Sequence, residues 1–596
     1  MNHRFMVPDP EAKLGGMPEP VGINYLKADP NMNFLLSLYA KEDYESISKD
    51  LSRLGSVAGN ELDALSREAD RHPPELITYN KSGDRVDEVK FHPSYQRMEE
   101  IGYIDFGLVA MSHRPGVMGR NRSFNRVLKY SFWYLFAQAE FGLCCPMSMT
   151  DSAAKIIKEY GSDELKDVYL PKLISTDKDT YWTAAQFMTE KQGGSDVGEN
   201  TLSAKKSGDN WLLTGDKWFC SNVTADVALV LARPAGAVSG TKGLAMFLVP
   251  KKLANGERNK YNINRLKDKL GTKDMASGEV SFEGAEGYLV GEIENGFKQM
   301  MSMVNSSRLS NAVRSAAIMR RSYLEALYTA RGRKAFTQKL ADLPLMKENL
   351  FELLLDTEVA ASMIYYTANI FDQADGGQQQ AKGLLRMLTP LLKGYICKRS
   401  RYVAAEAMEI RGGNGYIEEW VNPKLVRDAH LGSIWEGTTN IVALDVLRAI
   451  RKNQSGQLLM EEYESILSEL TSSHVKKAAK LCTDEMLKLK EEIEKVKKNH
   501  HASQEISAKR FMNKLYHLCA LAVLLIEADY DIQENASYRK LYLLLHYYHR
   551  YINTNESEGF DESIDQWFEN VADWDQIPQT AIDGLLKSMD SEILQN

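Results

Sequence analysis

NWLLTGDKWFCSNVTADVALVLARP, residues 210–234, is the stretch that decides the fold. WLLTG follows the turn signal SGDN, and DVALVLARP follows SNVTA. Short runs of β-branched, aromatic and aliphatic residues bounded by Gly, Asn, Asp and Ser predict strands. The pattern continues with AMFLVP before KKLANGERN, and with GEVSFEG after a Gly-containing turn. From about Tyr181 to Gly291 the chain therefore reads as antiparallel strands of a small barrel or sandwich.

On either side the period changes. FLLSLYAKEDYESISKDLSRLGSVA and FNRVLKYSFWYLFAQAEFG carry apolar residues at helical spacing, so the chain up to about Lys172 reads as mostly helical after a Pro/Gly-rich start. Downstream, LPLMKENLFELLLDTEVAASMIYYTANIFDQA and AKGLLRMLTPLLKGYICKRSRYVAAEAMEI return to the 3.6-residue period. Helices, then strands, then helices is an α+β architecture with an inserted β domain. The expected divisions are an N-terminal helical domain over 1–180 with an extended start, a central β domain over 181–294, a helical bundle over 295–452 and an extra helical domain over 453–596 with an acidic end.

Bulk properties narrow the function classes. A chain of 596 residues with 44% hydrophobic and 26% charged content fits an ordinary multidomain globular protein. The longest apolar run, Leu518 to Ile526, falls short of the roughly 20 residues of a membrane helix and predicts a buried one. The first residues show no secretory pattern, and six cysteines without CxxC spacing, Cys144 and Cys145 adjacent and the others scattered, predict reduced thiols and a cytoplasmic location. No zinc or iron–sulfur ligand spacing is present, so no metal is expected. The net charge is −8, and from Glu556 onward the acids stand against Lys587 alone. That balance disfavours nucleic acid, whose phosphates need clustered Lys and Arg.

Several motifs can carry chemistry. In Met188-Thr-Glu-Lys-Gln-Gly-Gly-Ser-Asp-Val197, glycines beside Thr189 and Ser195 let backbone and hydroxyls approach a flat polar-edged ligand. Taken alone, a Gly-rich connection into the β domain explains it as well. In Gly215-Asp-Lys-Trp-Phe-Cys-Ser-Asn222, Trp218 and Phe219 can stack on an aromatic ring and Ser221 can bond its edge, although core aromatics of a strand would look the same. Arg411-Gly-Gly-Asn-Gly-Tyr416 fits a helix stop at Gly412 and Gly413, and equally a place where another chain or a cofactor comes close. In Ile434-Trp-Glu-Gly-Thr-Thr-Asn-Ile441, Thr438 and Thr439 are candidate N-caps of the helix that follows. Glu436 lies just before that start, between Trp435 and Gly437. A carboxylate in an apolar, aromatic setting holds its proton more tightly, which suits a general base for a weakly acidic C–H. A surface glutamate near a helix start is the bland alternative.

Together and in this order, the pieces resemble the acyl-CoA dehydrogenase superfamily. The blocks HPPELITYNKSGDRVDEVKFHP, MTEKQGGSDV, KWFCS, RLKDKLGTKDMASGEVSF, ICKRSRYVAAEAMEIRGGNGYIEE and SIWEGTTNIVALDVLR resemble its AidB-like branch from about His72 to Arg451. The resemblance implies FAD as cofactor and Glu436 as the catalytic base in the family's aromatic-Glu-Gly-Thr pattern. Arg333 matches the Arg that reaches the FAD phosphates, with Thr337 where a Gly is usual. Glu409 and Gly413 match contacts to FAD across a subunit boundary, where Gln is commoner than Glu409, and Gly412 beside them would also contact the cofactor. Met188, Thr189, Ser195, Trp218, Phe219, Ser221, Trp435, Thr438 and Asn440 would contact the flavin or its ribityl and phosphate end. Ser195, Arg308, Trp435 and Gly437 would contact substrate.

The implied reaction is α,β-dehydrogenation of an acyl-CoA: Glu436 takes the α-proton and a hydride passes from the β-carbon to flavin N5. Electron-transfer flavoprotein is the implied acceptor, and a homodimer or homotetramer the implied assembly. An alternative base on the helix near Arg308 finds no acid in Asn305-Ser-Ser-Arg308, and Glu190, the other acid beside a flavin motif, is expected to be structural. Rival expectations are an AidB-like DNA-associated flavoprotein of weak activity and an oxygen-using acyl-CoA oxidase. Nitroalkane oxidases use Asp as base, which Glu436 disfavours.

Overall fold

The computed structural model describes residues 18–498, 502–553 and 558–593. The chain forms two compact units, one of Met1–Ser52 with Asn311–Asn596 and one of Arg53–Ser310.

In the Arg53–Ser310 unit, seven strands form one sheet in the order Ala184–Phe187, Val227–Pro234, Ser203–Ser207, Asn210–Ser221, Ser277–Leu289, Ala245–Pro250, with Tyr261–Leu266 beside Ser277–Leu289. Ala245–Pro250 also pairs with Val227–Pro234, so the path returns on itself and the sheet closes. Inward-facing Leu213, Cys220, Val230, Phe247, Val280 and Phe282 fill the interior. Most pairings are antiparallel, as the turn spacing predicts. Two are not: Val227–Pro234 runs parallel to both Ala184–Phe187 and Ser203–Ser207. Parallel neighbours need long connections, and no local turn signal announces them.

The helical expectation for the first 172 residues fails in one place. Glu75–Tyr79 and Arg85–Lys90 form an antiparallel hairpin inside the block HPPELITYNKSGDRVDEVKFHP. The turn is built by Asn80, whose side-chain oxygen accepts from Ser82 N at 2.8 Å and Asp84 N at 3.0 Å, and by Gly83 at φ +85°. An Asx turn followed by a left-handed glycine reverses the chain at little cost. Asp87 then anchors the hairpin to the closed sheet, accepting from Ile263 N at 2.8 Å and pairing with Arg258.

The other unit is helical. Pro344–Asp375, Gln379–Arg411, Thr439–Asn453 and Ala502–Asn535 supply much of its core. Ala502–Asn535 is long and apolar enough, by length and composition, to cross a membrane, which the short run 518–526 does not reveal; 83% of its apolar window is buried. A buried ion pair ties the last helices to the earlier ones: Arg539 donates to both oxygens of Glu358 at 2.9 and 2.6 Å. All six cysteines are free thiols and buried.

Candidate active site

The turn carrying Glu436 connects the helices Asn422–Gly432 and Thr439–Asn453. Glu436 stands at φ +55° and Gly437 at φ +96°. A non-glycine residue in the left-handed region costs free energy and persists only where its surroundings impose it. Here the imposing groups come from residues 311–315 of the helix Gly296–Gly332 and from the helix Gln379–Arg411. Asn311 Nδ2 donates to the Gly432 carbonyl at 3.0 Å, and a Cβ on Gly432 would lie 2.8 Å from Ser315 Oγ and push that hydroxyl aside. The Arg314 guanidinium lies 4.8 Å from the Trp435 ring centroid. Lys393 Nζ, on a residue 1% exposed, donates to the Gly437 carbonyl. Buried cations thus flank the turn, and Glu436 itself is half-buried.

Thr438 occupies the N-cap position, as expected, but its hydroxyl does not cap the helix. It is exposed, as is Asn440, so both remain available to a ligand.

Arg333 and Gly412, far apart in sequence, come together: a Cβ on Gly412 would lie 3.3 Å from Arg333 Nη1. Gly412 is the C-cap of Gln379–Arg411 at φ +70°, the helix stop predicted from RGGNGY. Arg333, Glu409 and Gly413 are exposed. Arg333 precedes a two-residue hairpin, Lys334–Ala335 with Gln338–Lys339, whose central Phe336 and Thr337 sit at φ +51° and +72°. This turn type requires positive φ at both central residues. It gives the physical reason for a glycine where this chain has Thr337.

In the other unit the two Gly-flanked motifs meet. Trp218 N donates to Thr189 O at 2.9 Å, and Lys217 Nζ donates to Met188 O at 3.0 Å and to Glu190 Oε1 at 2.8 Å. Glu190 also accepts from Thr201 N at 2.7 Å and Leu202 N at 3.0 Å. Lys217 and the main-chain donors overcome the burial that would raise it and hold its carboxyl down at about 2. The structural place expected for Glu190 agrees with these bonds. They fix the loop so that Thr189 and Ser195 stay near the surface, with Gly194 against the Thr189 hydroxyl. Phe219 is 57% exposed, with Trp218 half-buried beside it and Lys267 Nζ 3.4 Å from the Trp218 ring centroid. Ser221 Oγ is 3.2 Å from Ser277 Oγ. Arg308 is buried, donating to Asn305 Oδ1 at 3.2 Å.

The residues sequence reasoning missed are Asn311, Arg314 and Lys393. The one available signal was a polar or charged residue on an otherwise apolar helical face, as with Lys393 in LTPLLKGYIC.

Comparison with known proteins matches this arrangement along most of the chain. Residues 17–180 match the adaptive response protein AidB N-terminal domain, 185–285 the acyl-CoA dehydrogenase middle domain, and 294–451 the acyl-CoA dehydrogenase C-terminal domain. AidB of Escherichia coli is 36% identical over 424 residues, covering 69% of this chain and 76% of AidB. The chain belongs to the acyl-CoA dehydrogenase family. Acyl-CoA dehydrogenase family member 11 of Caenorhabditis elegans is 34% identical over 451 residues, covering 73% of this chain and 72% of that protein. The solved structure of Caenorhabditis elegans ACDH-11 in complex with C11-CoA superposes with a TM-score of 0.83 at 28% identity, covering 91% of this chain and 93% of that one. Bd2924 in its apo form superposes with a TM-score of 0.76 at 32% identity, covering 86% of this chain and 99% of that one. The expected fold stands: an N-terminal helical domain, a middle β barrel, a C-terminal helical domain and additional C-terminal helices. The protein is an oxidoreductase of this family, AidB-like in its N-terminal domain.

Proposed function

We propose that the protein removes hydrogen across the Cα–Cβ bond of an acyl-CoA, with Glu436 as the base, FAD as the hydride acceptor and electron-transfer flavoprotein as the electron outlet. The observation that carries this is the Glu436 turn: a carboxylate on left-handed backbone, held by Asn311, Arg314 and Lys393. Structure invests in a strained turn where a side chain must be aimed.

The chain's residues fit the cofactor. Exposed Phe219 offers a face for a flat ring, and the Thr189 and Ser195 loop offers hydroxyls for its polar edge. Arg333, held against Gly412 where a side chain would fill the space, suits a phosphate. FAD, when bound, supplies the two-electron acceptor that no side chain can provide.

Glu436 would take the α-proton, and its own main-chain N–H would donate to the thioester oxygen as negative charge develops there. One such donor contributes about 3–4 kcal/mol to a transition state in a site closed to water. Trp435 and Gly437 would border the thioester, and Arg308 the substrate path. The ACDH-11 complex with C11-CoA supports an acyl-CoA as the ligand class and makes a C11 acyl-CoA the first to test. A homo-oligomer completes the proposal, because exposed Glu409 and Gly413 would meet a neighbouring subunit's cofactor.

The test is anaerobic bleaching of the purified yellow protein by linear acyl-CoAs. Wild type should bleach, while Glu436→Gln should keep its flavin and bleach about 10²–10⁴-fold more slowly, the loss expected when a general base is removed. Rapid bleaching of that variant would remove Glu436 from the role. Steady peroxide release in air with each turnover would instead make the protein an oxidase.

A further inference from the structure

The block HPPELITYNKSGDRVDEVKFHP begins and ends on His-Pro, and the dehydrogenase chemistry uses neither histidine. His72 is the C-cap of the helix Asp63–Arg71, and His92 is the N-cap of Pro93–Glu99. The hairpin Glu75–Lys90 lies between them, and its closure stacks the two rings with centroids 4.7 Å apart and planes 17° apart. Glu68, one helical turn before His72, brings its Oε1 within 3.3 Å of His72 Nδ1. One ligand atom from each of Glu68, His72 and His92 lies within 4.8 Å of the others.

The geometry points to a binding site for a divalent cation of the zinc class formed by Glu68, His72 and His92. A tetrahedral zinc ion with bonds of about 2.0–2.2 Å holds its donor atoms roughly 3.3 Å apart. The three ligand atoms lie within 4.8 Å of one another, and rotation of the side chains, which unstacks the two imidazoles so that both Nε2 lone pairs aim at one ion, brings them to that spacing; His72 is 53% and Glu68 45% exposed. Two imidazoles and one carboxylate are a borderline donor set that suits zinc better than calcium or magnesium, which take oxygen ligands. His72 is already in the correct tautomer: its Nδ1 lies 2.9 Å from the Glu68 carbonyl oxygen, so Nδ1–H donates there and Nε2 keeps its lone pair. A backbone carbonyl on the far ring nitrogen is a common support for a metal-binding histidine. His92 gives up only a long contact, 3.3 Å from Ser94 N to its Nδ1, when the proton moves to that nitrogen and Nε2 takes the ion. Water fills the fourth position. The bound ion clasps the open end of the hairpin, whose Asp87 is fastened to the barrel strand at Ile263, and so fixes both ends of this insertion. Spacing did not announce the site, because its histidines stand twenty residues apart without a zinc-finger pattern.

Full-length, untagged protein stripped with a chelator and titrated with Zn²⁺ by calorimetry tests this. One Zn²⁺ per chain is expected, and Co²⁺ in its place should show the visible d–d bands of a tetrahedral site. Glu68→Gln and His92→Gln should each lower Zn²⁺ affinity at least about tenfold with an unchanged circular-dichroism spectrum. The adjacent pair His500 and His501, outside the described residues, is the competing source of imidazole, and changing both to Gln should leave binding intact. Absence of stoichiometric binding, unchanged affinity in both of the first variants, or loss only in the His500/His501 variant would each overturn the proposal.

Discussion

Replacing Lys393 by Met separates the support of the Glu436 turn from the stability of the protein. Lys393 is 1% exposed and donates to the Gly437 carbonyl, next to a residue at φ +55°. Met keeps the length and apolar stem but removes the ammonium. A hydrogen bond from a charged donor contributes about 1.5–3 kcal/mol. Against that loss stands the relief of no longer burying a charge. Gly437 is itself half-exposed, so water can take the ammonium's place. Net destabilisation should therefore stay near 1 kcal/mol, about 2 °C in the midpoint of a domain this large. The rate should respond far more. Without its strut the left-handed turn can relax, and a shift of about 1 Å in a reacting group costs on the order of a hundredfold, or about 2.7 kcal/mol of barrier. Stopped-flow anaerobic bleaching by a saturating acyl-CoA, read beside thermal unfolding and flavin content, measures both quantities. Lys393→Arg, which keeps charge and donor, should recover part of the rate. Bleaching of Lys393→Met at the wild-type rate with unaltered flavin content would refute the argument that this lysine aims Glu436, the proposed base.

Thr337→Gly should stabilise the protein by about 0.5–1 kcal/mol in urea unfolding, because relief at φ +72° exceeds glycine's greater chain entropy; a loss of stability would show that the Thr337 side chain contributes more than its backbone costs. Burial, with Asp226 nearby, pushes the Glu99 carboxyl up to about 8, so the folded state keeps a proton that the unfolded state has released above its ordinary 4.5. Stability from this group is full below about pH 4.5 and declines through about pH 8, by on the order of 5 kcal/mol. Glu99→Gln should flatten that decline in urea midpoints taken between pH 5 and 9, and an identical slope in wild type and variant would refute it.

Much was legible before any fold was known. Periodicity is a local property, so the change from a 3.6-residue to a two-residue rhythm near Tyr181 and back near Asn295 marks the β insertion without knowledge of neighbours. Glycines and hydroxyls in fixed local order make MTEKQGGSDV, KWFCS and WEGTTN candidates, each with a bland alternative, and their resemblance as a set to the family singles out Glu436. Pairing over distance was not legible. The hairpin at 75–90 hides because LITY and RVDEV are each too short to outweigh helical neighbours, and Asp87 reaches Ile263 only once the sheet exists. The parallel pairings of Val227–Pro234 that help to close the sheet depend on packing, not on a turn. The same holds at the candidate base. Sequence places Glu436 before a helix, but only the fold brings Asn311, Arg314 and Lys393 to its turn from helices more than forty residues away in either case. Local order along the chain sets which residue can do the chemistry; contacts between distant segments set where that residue points, because such contacts form only when the whole core packs.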